Sequence, residues 1–64
     1  MTSIEVYNGN NSTIHYKELD LVSDVNKWLK EKHPTATKAY SRFPDNCEYK
    51  HTPKENGFFK ATPI

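Results

Sequence analysis

The segment DLVSDVNKWLKEKHP carries the residue spacing of an amphipathic helix, and it limits the folds available to the rest of the chain. Val25, Trp28 and Leu29 fall on one side of such a helix. Pro34 cannot continue a helix, so the helix is predicted over about residues 21–32. A helix with one apolar face has to bury that face against another element. We therefore expect Val25, Trp28 and Leu29 to anchor the helix on a sheet.

The residues before this helix alternate between apolar and polar side chains, which is typical of β-strands. SIEVY (3–7) and STIHY (12–16) flank the sequence NGNN, whose residues tolerate the positive φ that tight turns need. The first sixteen residues therefore predict a β-hairpin. In its second strand, Ile14 and Tyr16 share one face.

Alternation returns after the helix and predicts two or three more strands, over residues 35–43, 47–51 and 58–62. In the first of these, Ala39 and Ser41 belong to the face that we assign to the helix side. The last strand is less determined, because a shift of one residue exchanges the faces of adjacent side chains. Either of its two phenylalanines can therefore point inward.

Together these elements predict a single α+β domain over residues 1–64. It consists of a β-hairpin, one helix (about 21–32) and two or three antiparallel strands, with the helix packed on one face of the sheet. A chain of this size buries only about 60 % of its unfolded surface, so its stability is expected to be marginal. Its eight aromatic residues can supply most of a small core, because each ring buries about 150–250 Å².

Composition narrows the class of protein. The formal net charge is +1, far from that of a strongly basic nucleic-acid-binding module. A single cysteine excludes a scaffold held by internal disulfides. The N-terminal sequence lacks the features of a signal peptide, and no apolar run approaches the roughly 20 residues of a membrane span. We expect a cytoplasmic protein with no membrane partner.

The residue types that support catalysis or metal binding are present but scattered. Cys47 and His51 would lie about 13 Å apart on a straight strand at about 3.3 Å per residue, and four zinc ligands at paired spacings are lacking. The acidic neighbours Asp45 and Glu48 favour a protonated Cys47 thiol. No glycine-rich phosphate loop and no nucleophile-elbow pattern occur. The sequence therefore predicts a non-enzyme with no metal and no cofactor.

The face of the sheet away from the helix is the expected working surface. It combines aromatic rings with cationic side chains, as binding surfaces often do. The residues predicted to bind a partner there are Lys38, Tyr40, Arg42, Lys50, Phe58 and Lys60.

Two kinds of partner suit such a face. The favoured one is another protein with an acidic surface, bound in a regulatory or inhibitory contact. The alternative is single-stranded nucleic acid, whose bases stack on rings while lysine and arginine neutralise phosphates. An exposed edge strand also permits a homodimer. Small domains of this size class are often made by bacteriophages and mobile elements to act on a host protein, and cellular proteins of this size are equally common, so the size allows both origins.

Overall fold

A computed structural model describes all 64 residues. Five antiparallel strands form one sheet: β1 (Thr2–Asn8), β2 (Asn11–Lys17), β3 (Lys38–Arg42), β4 (Glu48–Pro53) and β5 (Phe59–Pro63). One helix, α1 (Val22–Lys32), connects β2 to β3. The strand order is β2-β1-β3-β4-β5, so β1 and β3 are neighbours although the helix separates them in sequence. The predicted α+β fold, with one helix on an antiparallel sheet, is confirmed.

The hairpin of β1 and β2 closes with a two-residue turn. Asn8 lies opposite Asn11, and the paired register continues without interruption to Thr2 opposite Lys17. Gly9 occupies the first turn position with a φ of +66°, which is the position where a type II′ turn needs glycine. This short turn determines which β2 side chains share a face with those of β1.

The helix ends where the sequence predicts. The backbone N–H of His33 still donates to the carbonyl oxygen of Leu29 at 2.8 Å, but His33 itself has left helical geometry before Pro34. Within the helix, Val25 and Leu29 are completely buried against the sheet. Trp28 is partly buried and packs against the core, so it contributes to the anchor as predicted, although it is less enclosed than Val25 and Leu29.

The core lies between α1 and one face of the sheet. Alternate residues of the central strands β1 and β3 point into it, and Phe59 of β5 closes it at the far side. Phe59 rather than Phe58 is therefore the inward ring, which answers the question that the sequence leaves open. The buried apolar residues are Ile4, Val6, Val25, Leu29, Ala36, Ala39, Phe43 and Phe59.

The other face of the sheet is covered by no helix or loop of the chain, and we call it the open face. The only helix of three or more turns packs on the opposite side, and it is too short and too polar to cross a membrane.

Candidate functional site

The central strand β3 contributes three side chains to the open face. Lys38, Tyr40 and Arg42 alternate with the buried Ala39 and Ser41, as the sequence predicts. The predicted site residues of the next two strands lie on the same face. Lys50 of β4 lies directly opposite Tyr40, and Lys60 of β5 lies opposite Thr52.

Phe58 is not part of this face, so its predicted place in the site is wrong. Its ring lies beside the helix, where the Lys30 Nζ atom is 3.6 Å from the ring centroid. The cause is the short turn before β5, in which Asn56 and Gly57 both adopt positive φ. β5 begins only at Phe59. The alternation of side chains along β5 therefore does not apply to Phe58 and does not predict its face.

Two residues that were not predicted for the site lie at its edge. Ile14 and Tyr16 of β2 are 56 % and 65 % exposed, and they are opposite Glu5 and Ser3 of the open face. The length of the turn between β1 and β2 is the sequence feature from which their position could have been predicted. Directly opposite residues of an antiparallel pair share a face, so a two-residue turn puts Ile14 and Tyr16 on the side away from Ile4.

Tyr7 and Tyr40 form an aromatic pair in the middle of the open face. Their ring centroids are 5.8 Å apart with an interplanar angle of 82°, an edge-to-face contact. The Lys38 Nζ atom lies 4.8 Å from the Tyr7 centroid and 5.7 Å from that of Tyr40. This packing holds both rings in place and leaves less ring surface free for stacking on a ligand.

The hydroxyl group of Tyr7 donates a hydrogen bond of 3.0 Å to the Glu5 carboxylate. This bond and the negative charge of Glu5 raise the pKa of Tyr7 above its ordinary value. The hydroxyl therefore stays protonated at neutral pH and keeps its role as a donor, which orients the Glu5 carboxylate on the open face.

Next to the tyrosine pair the open face forms a shallow depression. Exposed apolar atoms of Ile14 and Tyr16 lie on one side of it, and Arg42 lies on the other, opposite Ser3 and Glu48 in neighbouring strands. The side chains around it carry both signs of charge. The residues that line it are Ser3, Glu5, Ile14, Tyr16, Tyr40, Ser41, Arg42 and Glu48.

Ser41, His51 and Asn26 form a hydrogen-bonded arrangement on the helix side of the sheet, and it was not predicted from the sequence. The Ser41 Oγ atom is 2.7 Å from His51 Nε2, and His51 Nδ1 is 2.6 Å from Asn26 Oδ1. With a neutral imidazole, Nδ1–H donates to the asparagine oxygen and Nε2 accepts from the serine hydroxyl. The sequence offered no local signal, because the three residues lie on three different elements.

The residue types in this arrangement match those of a nucleophilic triad, but their burial does not. Ser41 is 1 % exposed and His51 is completely buried, so a substrate has no path to the serine oxygen. Burial lowers the pKa of His51 to about 4, which keeps the imidazole neutral at physiological pH. The arrangement instead joins the helix to the middle of the sheet through satisfied polar contacts.

Cys47 and His51 occupy different environments. Cys47 lies in the exposed loop before β4, and its backbone N–H donates to the Asp45 carboxylate at 3.1 Å. The Asp45 carboxylate raises the pKa of the Cys47 thiol by hydrogen bonding and by its charge. No group of three or more His, Cys, Asp or Glu side chains comes together in a way that could hold a metal ion.

A second aromatic cluster lies at the margin of the helix side. The Trp28 ring is 5.1 Å from His15 of β2 and 4.8 Å from His33, measured between centroids. Partial burial and the proximity of His15 lower the pKa of His33. This cluster connects the helix to the edge strand β2 on the side away from the candidate site.

Comparison of the chain with protein-family models, curated proteins and solved structures found no match.

Proposed function

We propose that this chain is a small binding protein that uses its open face to contact another protein, without catalysis. One observation carries the proposal. One depression lies on a sheet face that nothing in the chain covers. It is surrounded by the exposed apolar side chains of Ile14 and Tyr16, by Tyr40, whose ring packs against Tyr7, and by Arg42. Tyrosine and arginine dominate the energetics of protein interfaces, and exposed apolar groups beside them supply area to bury.

The charge on the open face supports a protein partner over nucleic acid. Lys38, Arg42, Lys50 and Lys60 stand among the carboxylates of Glu5 and Glu48. This face carries charges of both signs with more cations than carboxylates. It therefore suits an acidic protein surface that also has hydrogen-bond donors for the two carboxylates. A phosphate backbone would meet repulsion at both carboxylates, which are next to the tyrosine pair and to Arg42.

The state of the aromatic rings supports the same choice. Single-stranded nucleic acids stack successive bases on exposed ring faces. Tyr7 and Tyr40 are engaged with each other and with Lys38, so Tyr16 at the sheet edge is the only open-face ring that is mainly exposed. One free ring gives a weak stacking surface, and single-stranded nucleic acid is therefore the second candidate.

The proposed role is regulatory or inhibitory, with the chain covering a functional surface of its partner in the cytoplasm. The exposed free thiol of Cys47 fits a reducing compartment. The burial of Ser41 and His51 keeps this serine–histidine pair away from any substrate, so it offers no alternative to a binding role. A small inhibitory protein made by a bacteriophage or mobile element against a host protein fits this description.

The experiment that tests the proposal is capture of the partner with matched variants. Immobilised wild type, Arg42→Glu and Lys27→Glu would be exposed to lysate of the producing cells, and bound proteins quantified by mass spectrometry. Arg42 lies on the open face, whereas Lys27 is exposed on the helix. We expect a protein that binds wild type and Lys27→Glu equally and is lost with Arg42→Glu. Equal loss in both variants, or binding insensitive to Arg42, would exclude the open face.

A titration with labelled single-stranded oligonucleotides at two salt concentrations tests the second candidate. Binding through phosphates weakens steeply as salt rises. At low salt we expect no oligonucleotide binding that depends on Arg42. Tight, salt-sensitive binding that Arg42→Glu abolishes would replace the protein partner with nucleic acid.

A further inference from the structure

Strand β2 forms one edge of the sheet, and its outer side has unpaired backbone groups. The Tyr7 carbonyl oxygen accepts the N–H of Thr37 at 2.9 Å, so the backbone groups of Tyr7 point toward β3 rather than β2. Ser12 lies opposite Tyr7, and in an antiparallel pair its own N–H and C=O then point away from β1. By the alternation of the strand, Ile14 and Tyr16 also direct their backbone groups outward.

This edge lacks the features that usually prevent strands from pairing. β2 has no proline, its only permanently charged residue is Lys17 at the end of the strand, and its seven-residue pairing with β1 has no bulge. Natural edge strands are commonly protected by one of these features. The opposite edge, β5, has them: it is five residues long, contains Lys60 and ends in Pro63.

We propose that β2 pairs with β2 of a second copy of this chain, antiparallel and with Ile14 opposite Ile14 of the partner. Ile14 is the middle residue of β2, so this register uses the whole strand. Ser12 then lies opposite Tyr16 of the other copy, and Asn11 opposite Lys17. All three residues with outward backbone groups gain partners, and no like charges face each other across the twofold axis.

The proposed pairing has a consequence for the open face. A twofold axis perpendicular to the sheet joins two five-stranded sheets into one continuous sheet, with both open faces on the same side. Ile14 and Tyr16 of the two copies then form one apolar strip at the centre of this doubled surface. The strip places the two depressions side by side, so a partner with two equivalent acidic sites would be held by both copies.

Sedimentation equilibrium of the purified chain tests the dimer directly. We expect the apparent mass to rise from 7.4 kDa toward twice that value between about 10 μM and about 1 mM protein. A mass that stays at the monomer value over this range would overturn the proposal. This readout needs no partner, so its failure leaves the proposed function to its own test.

Charge variants at the twofold axis test the register. The Ile14 side chain is mainly exposed, so Ile14→Lys and Ile14→Glu should each fold, which circular dichroism can verify. In each variant alone like charges meet at the axis, and we expect dimerisation to weaken at least about tenfold. An equimolar mixture of the two variants should dimerise again as a heterodimer. A mixture that stays monomeric while wild type dimerises would overturn this register.

Thr62→Lys is the matched control, because it adds the same charge to the open face of the other edge strand. We expect its dimerisation constant to equal that of wild type. A loss of dimer in Thr62→Lys with no loss in Ile14→Lys would place the interface at β5 and contradict the proposal.

Discussion

The Nδ1 atom of His51 lies 2.6 Å from the Oδ1 atom of Asn26, which joins the centre of the sheet to the helix through two side chains. The imidazole is completely buried, and its other nitrogen lies 2.7 Å from the Ser41 hydroxyl. The neutral ring satisfies both contacts, with Nδ1–H as donor and Nε2 as acceptor. Protonation would turn Nε2 into a donor and place a positive charge in the core between two uncharged partners. This geometry makes the stability of the domain sensitive to pH.

Lowering the pH should destabilise the protein already at pH values above those at which carboxylates titrate. The pKa of His51 is lowered to about 4 in the folded state, whereas an unfolded histidine titrates near 6.5. Between these values the unfolded state binds a proton that the folded state does not, so the free energy of unfolding falls as pH falls. From pH 7 to pH 5 we expect a loss of about 2 kcal/mol, measured by urea denaturation.

The variants His51→Gln and His33→Gln separate the contributions of the two histidines to this pH dependence. His51→Gln should lose most of the slope between pH 7 and pH 5, whatever its stability at pH 7. The pKa of His33 is also lowered, so His33→Gln should lose a smaller part of the slope. A slope that is unchanged in His51→Gln would show that the buried imidazole does not control the acid response.

Removing the asparagine acceptor should cost more than removing an exposed neighbour. Asn26→Ala leaves the His51 Nδ1–H without a partner in the core, which we expect to cost about 1–2 kcal/mol after the better helix propensity of alanine is included. Lys27→Ala changes the next, exposed residue of the same helix and should stay within about 0.5 kcal/mol of wild type. Equal effects of the two substitutions on the urea midpoint would contradict the assigned hydrogen bond.

The adjacent phenylalanines provide a matched pair for the register of β5. Phe59 is 6 % exposed and belongs to the core, so Phe59→Ala should cost about 3–5 kcal/mol, enough to leave so small a domain largely unfolded. Phe58 is 51 % exposed and contacts Lys30, so Phe58→Ala should cost about 1 kcal/mol or less. Thermal melting followed by circular dichroism compares them. A larger loss of stability in Phe58→Ala would mean that the strand is shifted by one residue.

The parts of the fold that were predictable from the sequence are those with a strong local signal. The apolar spacing of Val25 and Leu29 and the stop at Pro34 located the helix to within a residue. Alternation assigned Lys38, Tyr40 and Arg42 to the open face, because β3 is a regular strand with one buried side.

The features that were not predicted depend on contacts between distant parts of the chain. His51 is buried because Ser41 and Asn26 satisfy it, and neither partner is near it in sequence. Trp28 is less enclosed than Val25 and Leu29, and part of its ring lies against His15 and His33 at the sheet margin.

The error at Phe58 has a local cause of a different kind. Positive φ at Asn56 and Gly57 interrupts the alternation just before β5, and only the second of these is a glycine that signals such a turn. Ile14 and Tyr16 were not predicted as site residues because the pairing register of β1 and β2 was not worked out. The two-residue turn at Gly9 is enough to determine that register.

The most direct test of the open face as a protein-binding site is photo-crosslinking from two positions with matched aromatic residues. A photoreactive benzoylphenylalanine would replace Tyr16, which lies on the open face, or Phe58, which is similarly exposed beside the helix. Each protein would be irradiated in lysate of the producing cells, and products of twice the chain's own mass would be assigned to self-association. Binding through the open face predicts a crosslinked partner protein from position 16 and none from position 58. A partner that crosslinks from position 58 and not from position 16 would contradict it.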